Sequence, residues 1–317
     1  PTMGAPRDSS SWLTSSRMVA RECLLISKPN SPEMSDLDAI RRAIAEETGQ
    51  KTTESPQAIG GGCINETFRL GNYFVKSNAP DRLDMFEVER LGLDTLHTTG
   101  TVRVPQPICS GTSPGQAFLV LEFLPFGRVC SSSQARLGRQ LAELHRTTSE
   151  YFGWERDNFI GATRQPNVPT ASWIDFLREQ RLGHMLRLTG DCGFSFHGAD
   201  TLLDHLDRFF EESPPPSLLH GDLWGGNAGA LEDGDPVLFD PAVYFGDREA
   251  DLAMTRLFGG FAPSFYQAYQ ETWPLPPGHE ARVDLYNLYH ILNHAVLFGG
   301  SYARQAQALI ESLLRHL

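Results

Sequence analysis

Asp222, Asn227 and Asp240 stand in two short runs, His220-Gly221-Asp222-Leu223-Trp224-Gly225-Gly226-Asn227 and Phe239-Asp240-Pro241-Ala242. A carboxylate, an amide five residues on and a second carboxylate beyond a turn form a donor set suited to phosphoryl transfer. In that chemistry the first carboxylate accepts the proton of an acceptor hydroxyl, while the amide and the second carboxylate hold Mg²⁺ against phosphates. Positioning and charge neutralisation are what the reaction asks of a protein, rather than a covalent group. Glu232-Asp233-Gly234-Asp235 has the turn chemistry to fold the chain back and bring Asp240 beside Asn227. Taken singly, each of these residues reads as part of a polar turn. Their order reads as a catalytic loop with room for one metal ion or two.

The elements that must position these groups lie upstream. Gly60-Gly61-Gly62 enters an alternating strand ending at Leu70, Gly71-Asn72 is a turn, and Tyr73-Phe74-Val75-Lys76 is a second strand, which predicts a glycine-tipped hairpin. Glycines let backbone amides approach phosphates closely, and Lys76, at the end of the second strand, is placed to pair with them. From Asp84 to Leu96 a helical period turns Met85, Glu89, Gly92 or Leu93, and Leu96 inward and Asp84, Glu87 and Asp94 outward. A carboxylate buried without a partner is costly, so Glu89 is expected to hold Lys76. Phe118-Leu119-Val120-Leu121 reads as a buried strand leading into a hinge, Glu122-Phe123-Leu124-Pro125-Phe126-Gly127. Helices are expected from Ser35, at 133–148, and at about 171–188, 200–211, 248–258 and 280–317. The expected fold class is α+β and bilobal. A small β-rich N-lobe over 34–124 would bind the nucleotide, and a larger, mainly helical C-lobe over 125–317 would carry the catalytic loop and the acceptor site.

Composition narrows the partners. The chain has 317 residues, 40% hydrophobic and 10% aromatic, enough for a full core. A formal charge of −12 leaves no basic footprint for nucleic acid or an anionic membrane, and no apolar run reaches the length of a membrane span. Cys23, Cys63, Cys109, Cys130 and Cys192 are odd in number and lack CxxC spacing, which points to a reducing, cytoplasmic setting. Residues 1–33, with seven serines and no helical period, read as a disordered tail, an added extension or an organelle-targeting segment.

From about residue 36 to the end, the sequence resembles the fructosamine kinase (ketosamine-3-kinase) family of the protein-kinase-like, aminoglycoside phosphotransferase-like group. The motifs that carry the resemblance include Gly61-Gly62-Cys63-Ile64-Asn65, Leu141-Ala142-Glu143-Leu144-His145, Asn158-Phe159-Ile160-Gly161, Gln165-Pro166-Asn167, His220-Gly221-Asp222-Leu223-Trp224 and Phe258-Gly259-Gly260-Phe261. Trp224 discriminates, since aminoglycoside and choline kinases usually lack it; Gly225 departs from the serine usual in the family.

The resemblance implies ATP-dependent phosphorylation of the 3-hydroxyl of a ketosamine, such as fructose or ribulose joined to lysine. The phosphorylated adduct then falls apart and frees the amine, a deglycation or protein repair. It also implies Asp222 as base, Asn227 and Asp240 as Mg²⁺ ligands, Lys76 and Glu89 as phosphate clamp and Glu122, Phe123 and Leu124 as adenine-binding hinge. Trp224 and His294 would touch the sugar, and Asp251 would brace the catalytic loop. His290 and His294 share a helical face, but no third ligand is spaced to make a metal site. Cys63, a thiol beside phosphate-binding amides, is a candidate for redox control through a disulfide-linked homodimer. A small-molecule hydroxyl kinase of the aminoglycoside or choline type is the runner-up, and a nucleotide-binding pseudokinase the alternative of another class. Pro241-Ala242 where protein kinases carry Phe-Gly argues against a Ser/Thr protein kinase.

Overall fold

The computed structural model describes residues 34–60 and 64–317, so the readings of residues 1–33 and of Gly61, Gly62 and Cys63 fall outside the described residues. Strands β1 (Gln57–Ala58), β2 (Glu66–Leu70), β3 (Tyr73–Asn78), β4 (Pro107–Thr112) and β5 (Ala117–Glu122) form one antiparallel sheet in the order β1-β2-β3-β5-β4. Two helices flank it, α1 (Met34–Thr48) and α2 (Leu83–Thr98). The strands alternate, so the sheet buries both faces differently. Phe68, Leu70, Val75 and Val120 pack with Leu37, Ile40 and Ile44 of α1, each such fully buried Leu or Ile stabilising by about 1.5–3 kcal/mol. Leu119 and Leu121 on the opposite face join α2 through Met85 and Phe86.

Beyond β5 the chain is mainly helical. Helix α3 (Ser131–His145) is followed by the hairpin β6 (Asn158–Ile160) and β7 (Thr163–Gln165), then α4 (Trp173–Phe176), a π turn over Leu177–Leu182, and α5 (Gly183–Asp191). Helix α6 (Ala199–Asp204) precedes the short strands β8 (Ser217–Leu219), β9 (Ala228–Ala230), β10 (Pro236–Leu238) and β11 (Tyr244–Gly246). Helices α7 (Glu249–Leu257), α8 (Pro263–Thr272), α9 (His279–Phe298) and α10 (Ser301–Leu314) close the C-lobe. None of the described helices is long and apolar enough to cross a membrane.

The sequence expectation needs several corrections. Lys76 does not end its strand, since β3 runs on to Asn78, whose amide holds the Ile64 carbonyl at 3.1 Å. The single helix expected over 280–317 is two, broken where Gly299 and Gly300 take φ of 66° and 47°. Apolar spacing continues across that break and hides it. Only Ala199–Asp204 of the stretch at 200–211 is α-helical, Leu206–Phe209 being a 3₁₀ turn. Helix α8 lies outside the expected helices, although its buried Phe265, Ala268 and Tyr269 stand at helical spacing.

One main-chain link ties the halves together besides the covalent hinge: the Leu238 amide donates to the Arg103 carbonyl (2.9 Å). The end of the hinge is fastened to the helical lobe by the Gly127 amide, which donates to the Ala230 carbonyl (2.8 Å).

Candidate active site

Between the sheet and the helical lobe opens a cleft of about 680 Å³, and on its walls stand Lys76, Glu89, Asp222, Trp224, Asn227 and Asp240. Lys76 reaches in from the middle of β3, and its Nζ donates to Glu89 Oε1 at 2.6 Å and to Asp240 Oδ1 at 2.5 Å. Glu89 comes from α2 and Asp240 from the far lobe, so one ammonium joins three elements. Burial alone would lower the pKa of Lys76, but the two carboxylates override it and hold the group above its ordinary value. Burial raises Glu89, against the pull of the Lys76 charge.

Asp240 is the only non-glycine among the described residues with a positive φ, 57°. That conformation is sparsely populated for an Asp and persists where neighbours over-determine it. Phe239 before it is anchored by its amide to the Asn227 carbonyl (3.1 Å), and Ala242 beyond Pro241 by its amide to the His220 carbonyl (2.9 Å).

The catalytic loop is held from beneath. Asp251 of α7 accepts the His220 amide at 2.8 Å, the Gly221 amide at 2.9 Å and His145 Nε2 at 3.1 Å. Burial alone would raise Asp251, yet the hydrogen bonds from His145 and the Gly221 amide hold it below its ordinary value. Because His145 donates through Nε2, its Nδ1 accepts from the Tyr269 hydroxyl at 2.8 Å; burial keeps this imidazole neutral by lowering its pKa. His220 is also lowered by burial, and its Nε2 donates to the Phe239 carbonyl at 3.1 Å. Gly221 sits at φ 83° with the Ala242 carbonyl oxygen where a Cβ would go, so only glycine fits between histidine and aspartate here.

Asp222 projects from this loop with less support. Asn227 Nδ2 donates to its Oδ2 at 3.0 Å, and burial together with the nearby Asp240 charge pushes its pKa up to about 7. The Asn227 NH₂ also faces the main-chain oxygens of Asp222 (2.9 Å) and Asp240 (3.4 Å), so this amide knits the loop to Asp240. The Asp240 carboxylate and the Asn227 amide oxygen are donors of the kind that would suit a divalent cation such as Mg²⁺.

Other expected residues are distributed unevenly. Gly60, Glu122, Phe123 and Leu124 line the cleft. The Glu122 amide, however, is spent on the Gln106 carbonyl (2.9 Å) and the Phe123 amide on the Asn72 carbonyl (2.9 Å), so neither hinge N–H is free to meet a base. Glu122 also pairs with Arg103 at 2.5 Å. Trp224 lies on the wall with its ring 6.1 Å from Phe258, while His294 sits behind Phe258 (5.0 Å) in a ring cluster with Phe298 and Tyr302. His294 is therefore away from the cleft surface: its Nδ1 bonds the His290 carbonyl at 2.8 Å, and burial lowers its pKa. Burial and the neighbouring His294 lower His290 to about 3, and no cluster of three metal-ligating side chains occurs among the described residues.

Sequence reasoning missed His145, Arg248 and Tyr269. Arg248 Nη1 donates to the Tyr269 hydroxyl at 3.1 Å, extending the support that reaches Asp251 through His145. The signal was partly present in Leu144-His145, a polar residue closing an otherwise apolar helix face. Gly225 also gains an explanation: a Cβ there would lie 2.9 Å from the Gly259 carbonyl oxygen.

The sheet lobe, hinge and catalytic loop define a protein-kinase-like phosphotransferase. Residues 36–316 match the model of the fructosamine kinase family. The chain belongs to that family and is an ATP-dependent kinase acting on a hydroxyl group. It is 46% identical over 293 residues to a probable ketoamine kinase of Synechocystis sp., covering 90% of this chain and 99% of that protein. It is 42% identical over 292 residues to a chloroplastic protein-ribulosamine 3-kinase of Arabidopsis thaliana, covering 88% and 89%. Among solved structures, a Haemophilus somnus protein provisionally assigned as a fructosamine-3-kinase superposes with a TM-score of 0.83 at 31% identity, covering 88% of this chain and 98% of that one.

Proposed function

We propose that the protein transfers the γ-phosphoryl group of ATP to the 3-hydroxyl of a ketosamine, an open-chain sugar joined to an amine such as the side chain of lysine. The observation that carries the reading is the meeting of Lys76 and Glu89 from the sheet lobe with Asp240, Asp222 and Asn227 from the helical lobe. In this reading Lys76, steadied by Glu89, grips the phosphates, and Gly60, Gly61 and Gly62 belong to the ATP-binding residues. Asn227 and Asp240 would hold Mg²⁺, which would supply neutralisation of phosphate charge. At the hinge, the Leu124 amide takes the adenine, because the Glu122 and Phe123 amides are already engaged.

Asp222 accepts the proton of the 3-hydroxyl as that oxygen attacks phosphorus, and a pKa near the working pH suits a base that must also give the proton up. Trp224 offers the sugar a flat apolar face. The 3-phosphorylated adduct eliminates phosphate and releases the amine, which makes the reaction a deglycation. The scattered cysteines support a reducing cytoplasmic setting, or an organelle should residues 1–33 act as a transit segment. Cys63 is proposed as a site of oxidative pairing between two chains; non-reducing gels of Cys63→Ala against the unaltered protein test this.

The test is Mg²⁺-dependent ADP release with fructoselysine, ribuloselysine, choline and an aminoglycoside side by side, with Asp222→Ala as the blank. Turnover of a ketosamine with subsequent amine release is expected. Turnover confined to choline or the aminoglycoside would overturn the acceptor, and ATP binding without any turnover would leave a pseudokinase.

A further inference from the structure

We propose that Arg181, acting through Asn167, Asn158 and Gln165, is a positioning residue that sets the backbone following Asp240; the inference rests on the phosphotransferase reading above. Arg181 sits in the π turn, 1% exposed, with only neutral oxygens as hydrogen-bond partners. Its Nη1 donates to the Pro166 carbonyl (2.6 Å) and the Gln180 carbonyl (3.0 Å), and its Nη2 to Asn167 Oδ1 (2.7 Å). The guanidinium lies 4.0 Å from the centre of the Tyr244 ring and 4.4 Å from that of Phe176. A cation so deep without an anionic partner is costly, and packing alone would be served as well by an apolar chain of the same length.

What the charge supplies is direction. A guanidinium only donates, so Asn167 must turn its oxygen towards Arg181 and its NH₂ away. Asn167 Nδ2 donates to Asn158 Oδ1 at 2.9 Å, and Gln165 Nε2 donates to the same oxygen at 2.8 Å. The Tyr289 hydroxyl donates to Gln165 Oε1 at 2.7 Å. With its oxygen occupied twice, Asn158 presents Nδ2 to the Val243 carbonyl at 2.8 Å, and Gln165 Nε2 also reaches the Ala242 carbonyl at 3.2 Å.

Asn167 Nδ2 also donates to the Arg156 carbonyl at 3.2 Å, so loss of the cation removes one of two constraints on Asn167 and loosens the chain that ends on Val243. The chain ends on the carbonyls of the two residues after Pro241, just downstream of the left-handed Asp240, where the Ala242 amide is held separately by the His220 carbonyl (2.9 Å). Asn158 also stands on the cleft wall, so the same chain places the β6–β7 hairpin.

The experiment compares Arg181→Met, which keeps an apolar stem, with Asn167→Asp, which keeps an acceptor for Arg181 but cannot donate to Asn158. A fluorescent ATP analogue is titrated at a series of Mg²⁺ concentrations, alongside kcat, KM and Tm. Half-saturating Mg²⁺ for nucleotide binding is expected to rise roughly tenfold and kcat to fall about 10- to 100-fold, with the acceptor KM changed by less than about twofold. Arg181→Lys, which keeps the charge, should recover part of both. Unchanged Mg²⁺ dependence and kcat in both variants, with only Tm lowered, would overturn the proposal. If Arg181→Met does not fold, Asn167→Asp decides alone. If the unaltered protein turns over no ketosamine, the acceptor reading fails, while the Mg²⁺ dependence of nucleotide binding still decides the role of Arg181.

Discussion

Lys76 and Asp222 face the same cleft, yet their charges are treated in opposite ways. Lys76 is flanked by Glu89 and Asp240 at 2.6 and 2.5 Å, so its charge is compensated before any ligand arrives. Asp222 has one amide hydrogen bond from Asn227, at 3.0 Å, and lies in the field of a second carboxylate. The ammonium is thus fully compensated, whereas the Asp222 carboxylate is left short of positive charge. In the proposed reaction, that shortage would let a metal ion and a hydroxyl proton be received there with gain.

Removing the base breaks this comparison most severely. Asp222→Ala should cut kcat by about 10²- to 10⁴-fold while ATP binding persists, as measured by ADP release and nucleotide titration. Asp222→Asn should be as inactive but more stable. A carboxylate with a raised folded pKa contributes stability at low pH that is lost as pH rises through about 7, so the gain in Tm should grow from about pH 5 to about pH 8.

Next in size is Lys76→Met, which leaves Glu89 buried without its cation. A loss of about 3 kcal/mol in denaturant unfolding is expected, together with weakened ATP binding. Adding Glu89→Gln should return stability without activity. If the single variant is as stable as the parent, the clamp is not the closed unit described above. A smaller effect lies in the pH profile: with Asp222 titrating near 7, kcat/KM should climb about tenfold per pH unit below that value and level off above it. A flat profile between about pH 6 and pH 8 would remove the contrast between the two charges.

The mildest perturbation is Gly225→Ser, whose Cβ must displace the Gly259 carbonyl, at about 1–3 kcal/mol of strain and a few-fold in kcat. An unchanged Tm would show that the loop at Gly259 yields freely.

Much of this architecture was legible because it is written in local pattern. The stripe of Met85, Leu93 and Leu96 located α2, and its inward Glu89 foretold an ion pair with Lys76. The turn at Glu232-Asp233-Gly234-Asp235 joins β9 and β10, which pair in register and carry the chain towards Asp240. What escaped depends on distant segments. Nothing near Phe123 announces that its amide belongs to Asn72, and spacing alone cannot tell a histidine on the cleft wall from His294 behind Phe258. The left-handed backbone of Asp240 is likewise imposed by neighbours rather than by the residue's own preference.

The bond from the Leu238 amide to the Arg103 carbonyl also bears on motion. Any swing that carries Arg103 away from Leu238 must lengthen or break it, so opening is a discrete event with a barrier rather than free rotation at the hinge. The amide hydrogen of Leu238 is then a natural reporter of breathing. Its exchange with deuterated solvent follows the open population, and ATP should slow it.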